Sequence, residues 1–122
     1  IGILVGFFLA YGSELVIDVG SVVSANRQQA SRTFAVTASE FKFSPSTFRV
    51  TEGERVRFTV ENTGTVPHEF ELEALGVEAV IPEGKSVTFT VNAPKSGLYD
   101  LICDLPGHLK AGMRGELIVK PR

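Results

Sequence analysis

The side chains best suited to bind a transition metal stand at regular spacing near the C-terminus. Cys103, His108 and Met113 are separated by four residues in each interval, and His68 lies further upstream. The chain has one cysteine, one methionine and two histidines, so these four residues are all of its soft or borderline ligands. Two imidazoles, a thiolate and a weak axial thioether form the trigonal copper sites that transfer electrons. The sequence therefore predicts one copper ion, cycling between Cu(I) and Cu(II), bound by these four predicted ligands.

Each predicted ligand has a plainer interpretation when it is taken alone. A lone cysteine usually behaves as a small hydrophobic residue, and a lone methionine usually fills a gap in the core. The ordered combination of all four favours the metal site. One cysteine excludes a disulfide framework within the chain and any four-sulfur zinc or iron–sulfur centre. Zinc is the weakest alternative metal, because methionine binds it poorly.

The composition is that of one foldable domain with an appendage. The chain has 122 residues, of which 43% are hydrophobic and 21% charged, and a formal net charge of −2. A weak negative charge without a clustered basic face argues against nucleic acid as a partner. The sequence also lacks a Ser-His-Asp set, a paired-carboxylate constellation and a phosphate-binding loop. We therefore expect neither an enzyme nor a small-molecule substrate.

From Thr33 onward the hydrophobic pattern has a period of two, which is typical of half-buried β-strands. The clearest alternating segments are residues 33–38, 55–61, 68–73 and 85–91. Together with the turn signals between them, they predict seven or eight short strands. We expect an all-β fold, a Greek-key antiparallel β-sandwich over residues 33–122.

The predicted strand at residues 98–103 explains how the ligands could meet. Because side chains alternate along a strand, Cys103 faces the core together with Leu101, at one pole of the sandwich. The loop that follows contains glycines that permit tight turns, so it can return two further ligands to that pole. His68 follows Pro67 at the start of another strand and can lie at the same pole.

The N-terminal part of the chain is apolar. Residues 1–13 carry no charge, and apolar residues continue beyond them around Glu14 and Asp18. The uncharged stretch is too short to cross a bilayer, which takes about 20 residues, but a helix over residues 1–23 is long enough. We expect this hydrophobic helix to be a membrane anchor, with an uncleaved signal segment or a packed soluble helix as alternatives. A polar linker at residues 24–32 would follow, and the domain would lie on the exported, periplasmic or extracytoplasmic side of the membrane.

The ligands and their neighbours resemble those of the cupredoxins, the small blue copper proteins. The resemblance covers roughly residues 33–120, and its motifs surround the ligands and the early strands. They are Tyr99-x-x-x-Cys103, Pro106-Gly-His108, Gly112-Met113-x-Gly115-x-Leu117-x-Val119 and Pro45-x-Thr-Phe-x-Val-x-x-Gly53-x-x-Val56-x-Phe58-x-Val60-x-Asn62-x-Gly64. The loop spacing is more similar to that of auracyanin and rusticyanin than to that of plastocyanin. The resemblance implies three equatorial ligands, His68, Cys103 and His108, and one axial ligand, Met113.

The residue after the first histidine departs from the family. Many blue copper proteins have asparagine there, which braces the cysteine loop by hydrogen bonds, whereas this chain has Glu69. Its carboxylate either lies near the copper, where it would favour the oxidised ion, or points to solvent. We expect Glu69, Glu71 and Glu73 to form an acidic stripe on one strand face, which is solvated or steers a basic cytochrome.

The ligand set and the resemblance together imply one-electron transfer without an enzymatic reaction. The expected partners are redox proteins such as cytochromes or membrane electron-transfer complexes, which would dock on an apolar patch at the edge of His108. The residues expected in this patch are Val66, Pro67, Leu105, Pro106, Gly107, Leu109 and Ala111. Two alternatives are a copper chaperone or storage protein without redox shuttling, and a subunit of a larger respiratory or photosynthetic complex.

Overall fold

The computed structural model of the protein describes residues 14–17, by their backbone, and residues 30–122. In these ranges it contains ten β-strands and one 3-10 helix, Glu73–Leu75. The strands are β1 Glu14–Ile17, β2 Arg32–Ser39, β3 Lys42–Ser44, β4 Thr47–Thr51, β5 Arg55–Asn62, β6 His68–Leu72, β7 Val77–Ile81, β8 Ser86–Asn92, β9 Gly97–Ile102 and β10 Arg114–Lys120. The predicted all-β fold is confirmed for this part of the chain.

The strands form two five-stranded sheets. One has the order β1-β8-β5-β2-β3 and the other has the order β4-β10-β9-β6-β7. The expected antiparallel pairing is found in part. Among the described strands, β1 with β8, β2 with β5 and β4 with β10 are parallel pairs, and the other pairs are antiparallel. Between β2 and β5 the chain crosses to the other sheet and forms β4. A crossover of this kind can bring a strand back in the same direction, whereas a hairpin reverses it.

The alternating pattern of the sequence fills the space between the sheets. Val56, Phe58 and Val60 on β5 are no more than 1% exposed, as predicted from the period of two. The Phe58 ring lies at the centre of an aromatic cluster, with centroid distances of 5.3–5.7 Å to four other rings. Those rings belong to Phe34, Phe48, Phe70 and Phe89. Burial of these large side chains is the main source of stability for a sandwich of this size.

The predicted N-terminal helix over residues 1–23 lies mostly outside the described residues. Its one described segment, Glu14–Ile17, is a strand that pairs with β8, so a helix is wrong for these four residues, and Leu-Val-Ile has a high strand propensity. The predicted linker at residues 24–32 overlaps the sandwich at its end, because the Ser31 N–H donates to the Arg55 carbonyl at 2.9 Å. No helix within the described ranges is long and apolar enough to cross a membrane.

Three neighbouring strands of the second sheet begin or end at the same pole, which we call the ligand pole. β6 begins with His68, β9 ends at Ile102 and β10 begins at Arg114. Ile102 pairs with Glu71 of β6 on one side and with Arg114 on the other. Because β9 lies between β6 and β10, the residue that follows Ile102 lies between the starts of both strands. That residue is Cys103.

Candidate metal centre

Cys103 is fully buried where β9 gives way to the ligand loop, residues 104–112. Its N–H donates to the carbonyl of Met113 at 3.2 Å, which closes the neck of the loop. Met113 is also fully buried, in the same hydrophobic core cluster. Burial raises the pKa of the Cys103 thiol, so the thiol is protonated near neutral pH, and a metal must displace this proton in order to bind the thiolate.

The ligand loop folds back so that His108 contacts Cys103. The His108 N–H donates to the Leu105 carbonyl and the His108 carbonyl accepts from the Met113 N–H, both at 3.0 Å. Gly112 has a φ of +102°, in the left-handed region that glycine adopts readily. The result is a distance of 3.3 Å between Cys103 Sγ and His108 Nδ1. Burial and the nearby His68 ring lower the pKa of His108, which favours the neutral imidazole that binds metals.

His68 reaches the same place from the start of β6. Its side chain is fully buried, and its Nε2 lies 2.6 Å from Glu40 Oε2. The pKa of Glu40 is lowered mainly by this hydrogen bond with His68 and next by the hydrogen bond from the Thr65 N–H. The carboxylate is therefore ionised, and His68 Nε2 carries the proton of the bond between them. In the tautomer with its proton on Nε2, the imidazole has its lone pair on Nδ1. Nδ1 is buried and has no hydrogen-bond partner among the described residues.

The loop before His68 is held by the buried side chain of Asn62. Its Nδ2 donates to the Val66 carbonyl at 2.8 Å and to the Ile81 carbonyl at 2.9 Å. Its Oδ1 accepts from the Gly64 N–H at 2.8 Å. An asparagine side chain offers two donors and an acceptor with two lone pairs, so this residue ties the loop to β7 and fixes the approach of the chain to His68.

The structure therefore brings three predicted ligands, His68, Cys103 and His108, together. One nitrogen of each imidazole and the cysteine sulfur lie within 4.8 Å of one another. A metal ion binds nitrogen at about 2.0 Å and sulfur at about 2.3 Å, so one ion can contact all three atoms after small side-chain shifts. A buried imidazole nitrogen without a partner is costly unless something binds it, and the donor set fits a metal ion. The fourth predicted ligand, Met113, is tied to Cys103 through the loop neck.

Glu69 does not point to solvent, so one of the two expectations for it is wrong. The residue is 4% exposed, its N–H donates to Cys103 Sγ at 3.3 Å, and its Oε1 accepts from the Asp104 N–H at 3.0 Å. Its side chain thus braces the cysteine loop, as asparagine does in many blue copper proteins. The pKa of Glu69 is raised to about 7, mainly by burial of the carboxyl and next by a hydrogen bond with Glu78.

The predicted acidic stripe is also corrected. Glu69 is buried, Glu71 is half-buried, and Glu73 belongs to the 3-10 helix instead of the strand. The pKa of Glu71 is raised mainly by burial of its carboxyl and next by the negative charge of the neighbouring Glu78. The carboxylates of Glu69, Glu71 and Glu78 lie within 4.8 Å of one another, so they form a cluster beside the cysteine loop and not a solvated row.

Sequence reasoning missed two residues at the ligand pole, Glu40 and Phe41. Glu40 follows β2 and contacts His68, and the Phe41 ring packs edge-on against His108 with 4.9 Å between centroids. Both lie in the turn between β2 and β3 and outside every motif that the sequence presents.

Of the expected apolar patch, Val66 is 36% exposed, whereas Leu105 and Leu109 are partly buried. Phe41, which is 41% exposed, was not expected there, and docking at this surface stays a prediction.

Comparisons with known proteins agree with this geometry. Residues 6–119 match the cupredoxin-like domain family. The copper-resistant cuproprotein CopI of Rubrivivax gelatinosus is 31% identical over 113 residues, which cover 75% of this chain and 68% of that protein. Plastocyanin of Daucus carota is 32% identical over 87 residues, 63% of this chain and 86% of its own. The structure of auracyanin B is similar in fold, with a TM-score of 0.65, 24% identity and coverage of 84% of this chain and 96% of that one.

Proposed function

Because this chain belongs to the family of cupredoxin-like domains, we propose that it is a one-electron carrier and that its redox centre is a single copper ion held by the four predicted ligands. The observation that carries the proposal is the meeting of His68, Cys103 and His108 donor atoms within 4.8 Å. The unpartnered His68 Nδ1 supports it further. Copper is supported by a relative whose name identifies it as a cuproprotein and by the donor types themselves.

Bound copper supplies a centre that alternates between Cu(I) and Cu(II), for which thiolate and thioether favour the first state and imidazole suits both. The chain contributes rigidity. Hydrogen bonds from the backbone fix Cys103 on both sides, at its own N–H through Met113 and at its sulfur through the Glu69 N–H. A ligand set that is held in place rearranges little when its charge changes, and electron transfer is fast when little rearrangement is needed.

Electrons would enter and leave through His108, since it is the one predicted ligand that is not fully buried. The Phe41 ring packs against it and is 41% exposed, and Val66, in the loop before His68, is a second exposed apolar side chain. We propose that this patch docks redox proteins such as cytochromes or membrane electron-transfer complexes. A small apolar patch lets two proteins exclude water at the point of electron transfer and still dissociate.

The proposal is tested by titrating the copper-free full chain with Cu(II) and recording visible absorption and electron paramagnetic resonance. We expect one equivalent of copper to produce an intense thiolate-to-copper band and an unusually small copper hyperfine splitting. Cys103→Ser removes the only thiol of the chain and should abolish the band, whereas Met113→Leu should keep it with a changed spectrum. A colourless protein, or a band that survives Cys103→Ser, would overturn the proposal.

Copper handling is a second candidate, and the similarity to a copper-resistant cuproprotein favours it. Such a protein would bind Cu(I) without shuttling electrons. Protein-film voltammetry separates the two functions, because a carrier gives a reversible one-electron wave at the same copper stoichiometry over many cycles. Loss of copper on oxidation or reduction would favour handling.

We also propose that the domain lies on the exported side of a membrane, tethered by the apolar N-terminal segment. The uncharged sequence of residues 1–13 supports this proposal. Cell fractionation of the full chain with protease added to intact spheroplasts is the test. Copper-binding protein that remains protected inside the cell would contradict it.

A further inference from the structure

Glu40 is not a predicted ligand, yet it is the residue that holds His68. We propose that Glu40 is a positioning residue that fixes the His68 ring with Nδ1 toward the metal, and that its carboxylate favours Cu(II) over Cu(I). The preference for Cu(II) rests on the proposed copper function. The positioning of the His68 ring concerns the fold alone and can be measured without a metal.

The contact has the geometry of a strong hydrogen bond. His68 Nε2 and Glu40 Oε2 are 2.6 Å apart, and the side chains are 0% and 28% exposed. A bond between an N–H and a carboxylate is charge-assisted and is about twice as strong as a neutral one. In the tautomer that donates from Nε2, the lone pair is on Nδ1, and Nδ1 is the buried atom without a partner among the described residues.

Glu40 is itself held in place. The Thr65 N–H lies 3.1 Å from both carboxylate oxygens, and Thr65 Oγ1 donates to Oε1 at 3.2 Å. The carboxylate passes so close to Gly64 that a Cβ added there would collide with it. Gly64 is fixed in turn by its hydrogen bond to Asn62. The loop before His68 thus holds a side chain that comes from the turn between β2 and β3.

The two imidazoles therefore have different surroundings. His108 is partly exposed and its ring packs against Phe41, whereas His68 is buried with a carboxylate behind it. A negative charge one imidazole ring away from the ion attracts Cu(II) more strongly than Cu(I), and the attraction is large because the ring between them is buried. Carboxylates behind metal-binding histidines also raise the basicity of the ligand, and their loss typically weakens metal binding 10–100-fold.

The test is Glu40→Gln in the full chain, since glutamine keeps the shape and an oxygen acceptor but removes the charge. Glu61→Gln is the matched control, because it removes an exposed carboxylate from β5. We expect Glu40→Gln to weaken Cu(II) binding by about 10–100-fold and Cu(I) binding by less. Each tenfold increase in the dissociation constant of Cu(II) relative to that of Cu(I) raises the one-electron potential by about 59 mV. Equal shifts of the potential in both variants, or no shift in Glu40→Gln, would overturn the proposal that the Glu40 carboxylate favours Cu(II).

The positioning of the His68 ring is read from the copper-free protein by long-range proton–nitrogen NMR of the histidine rings. We expect His68 to carry its proton on Nε2 in the wild type and in Glu40→Gln. In Glu40→Leu, which has no acceptor, this preference should weaken while the remaining amide spectrum stays folded. A wild-type His68 that is protonated on Nδ1 or mixed would overturn the positioning role. If the wild type forms no blue centre, the proposed function fails, but this measurement still decides the positioning role.

Discussion

Replacing Asn62 with alanine is expected to lower the free energy of unfolding by about 2–6 kcal/mol. The substitution leaves the Ile81 carbonyl without its partner in a fully buried place, which costs about 1–3 kcal/mol. The hydrogen bonds to Val66 and Gly64 lie nearer the surface, where water can replace the lost partner, and each contributes about 0.5–1.5 kcal/mol.

Urea unfolding of the copper-free protein at pH 7 measures this loss, because bound metal would add its own stabilisation. Asn92→Ala is the matched control, since Asn92 is exposed at the last position of β8, and we expect it to change the stability by no more than about 0.5 kcal/mol. A loss of 2 kcal/mol in a domain of this size lowers Tm by about 10 °C. Equal losses in the two variants would refute the reasoning that the buried hydrogen bonds of Asn62 hold this loop.

Two further predictions concern the core and acid stability. Phe58→Ala should lower the free energy of unfolding by about 3–5 kcal/mol. Phe41→Ala, at a ring that is 41% exposed but packs against His108, should lower it by about 1–2 kcal/mol. Similar urea midpoints for the two variants would contradict this difference. Burial tends to raise the pKa of Glu54, but hydrogen bonds from the Thr51 N–H and two side chains outweigh it and lower the pKa below 4.5. A carboxyl with a lowered pKa stabilises the fold at neutral pH and ceases to do so as the pH falls through its folded-state pKa. The difference in the free energy of unfolding between the wild type and Glu54→Gln should therefore narrow below pH 4.5. A difference that is independent of pH would contradict the lowered pKa of Glu54.

The meeting of the ligands could be predicted from the sequence because each belongs to a rare residue type. With one cysteine and two histidines in the chain, a shared site requires no choice among candidates. The strand that leads to Cys103 could be predicted as well, since alternation determines which side chains face inward. The same alternation predicted the buried residues of β5.

Pairing and outer contacts could not be predicted in this way. A period of two shows the face of a strand but not its neighbour, so the parallel pairing of β2 with β5 was missed. Glu40 is one of 14 acidic residues and lies 28 positions before His68, in the turn between β2 and β3, so nothing local distinguishes it. Glu69 breaks the alternation because the cysteine loop covers it, and a tertiary contact of this kind leaves no local signal.

The closed neck of the ligand loop makes the metal centre modular. A backbone hydrogen bond joins Cys103, which follows β9, to Met113, which precedes β10. The register between β9 and β10 is therefore set outside the loop. Insertions and deletions inside residues 104–112 can therefore alter the spacing of the donors without disturbing the strands. Such changes would move His108, the one predicted ligand inside the loop, while Cys103 and Met113 stay at the neck and His68 stays with the carboxylate behind it. Variation in colour and potential would then arise from the loop, and retention of the metal from the residues outside it.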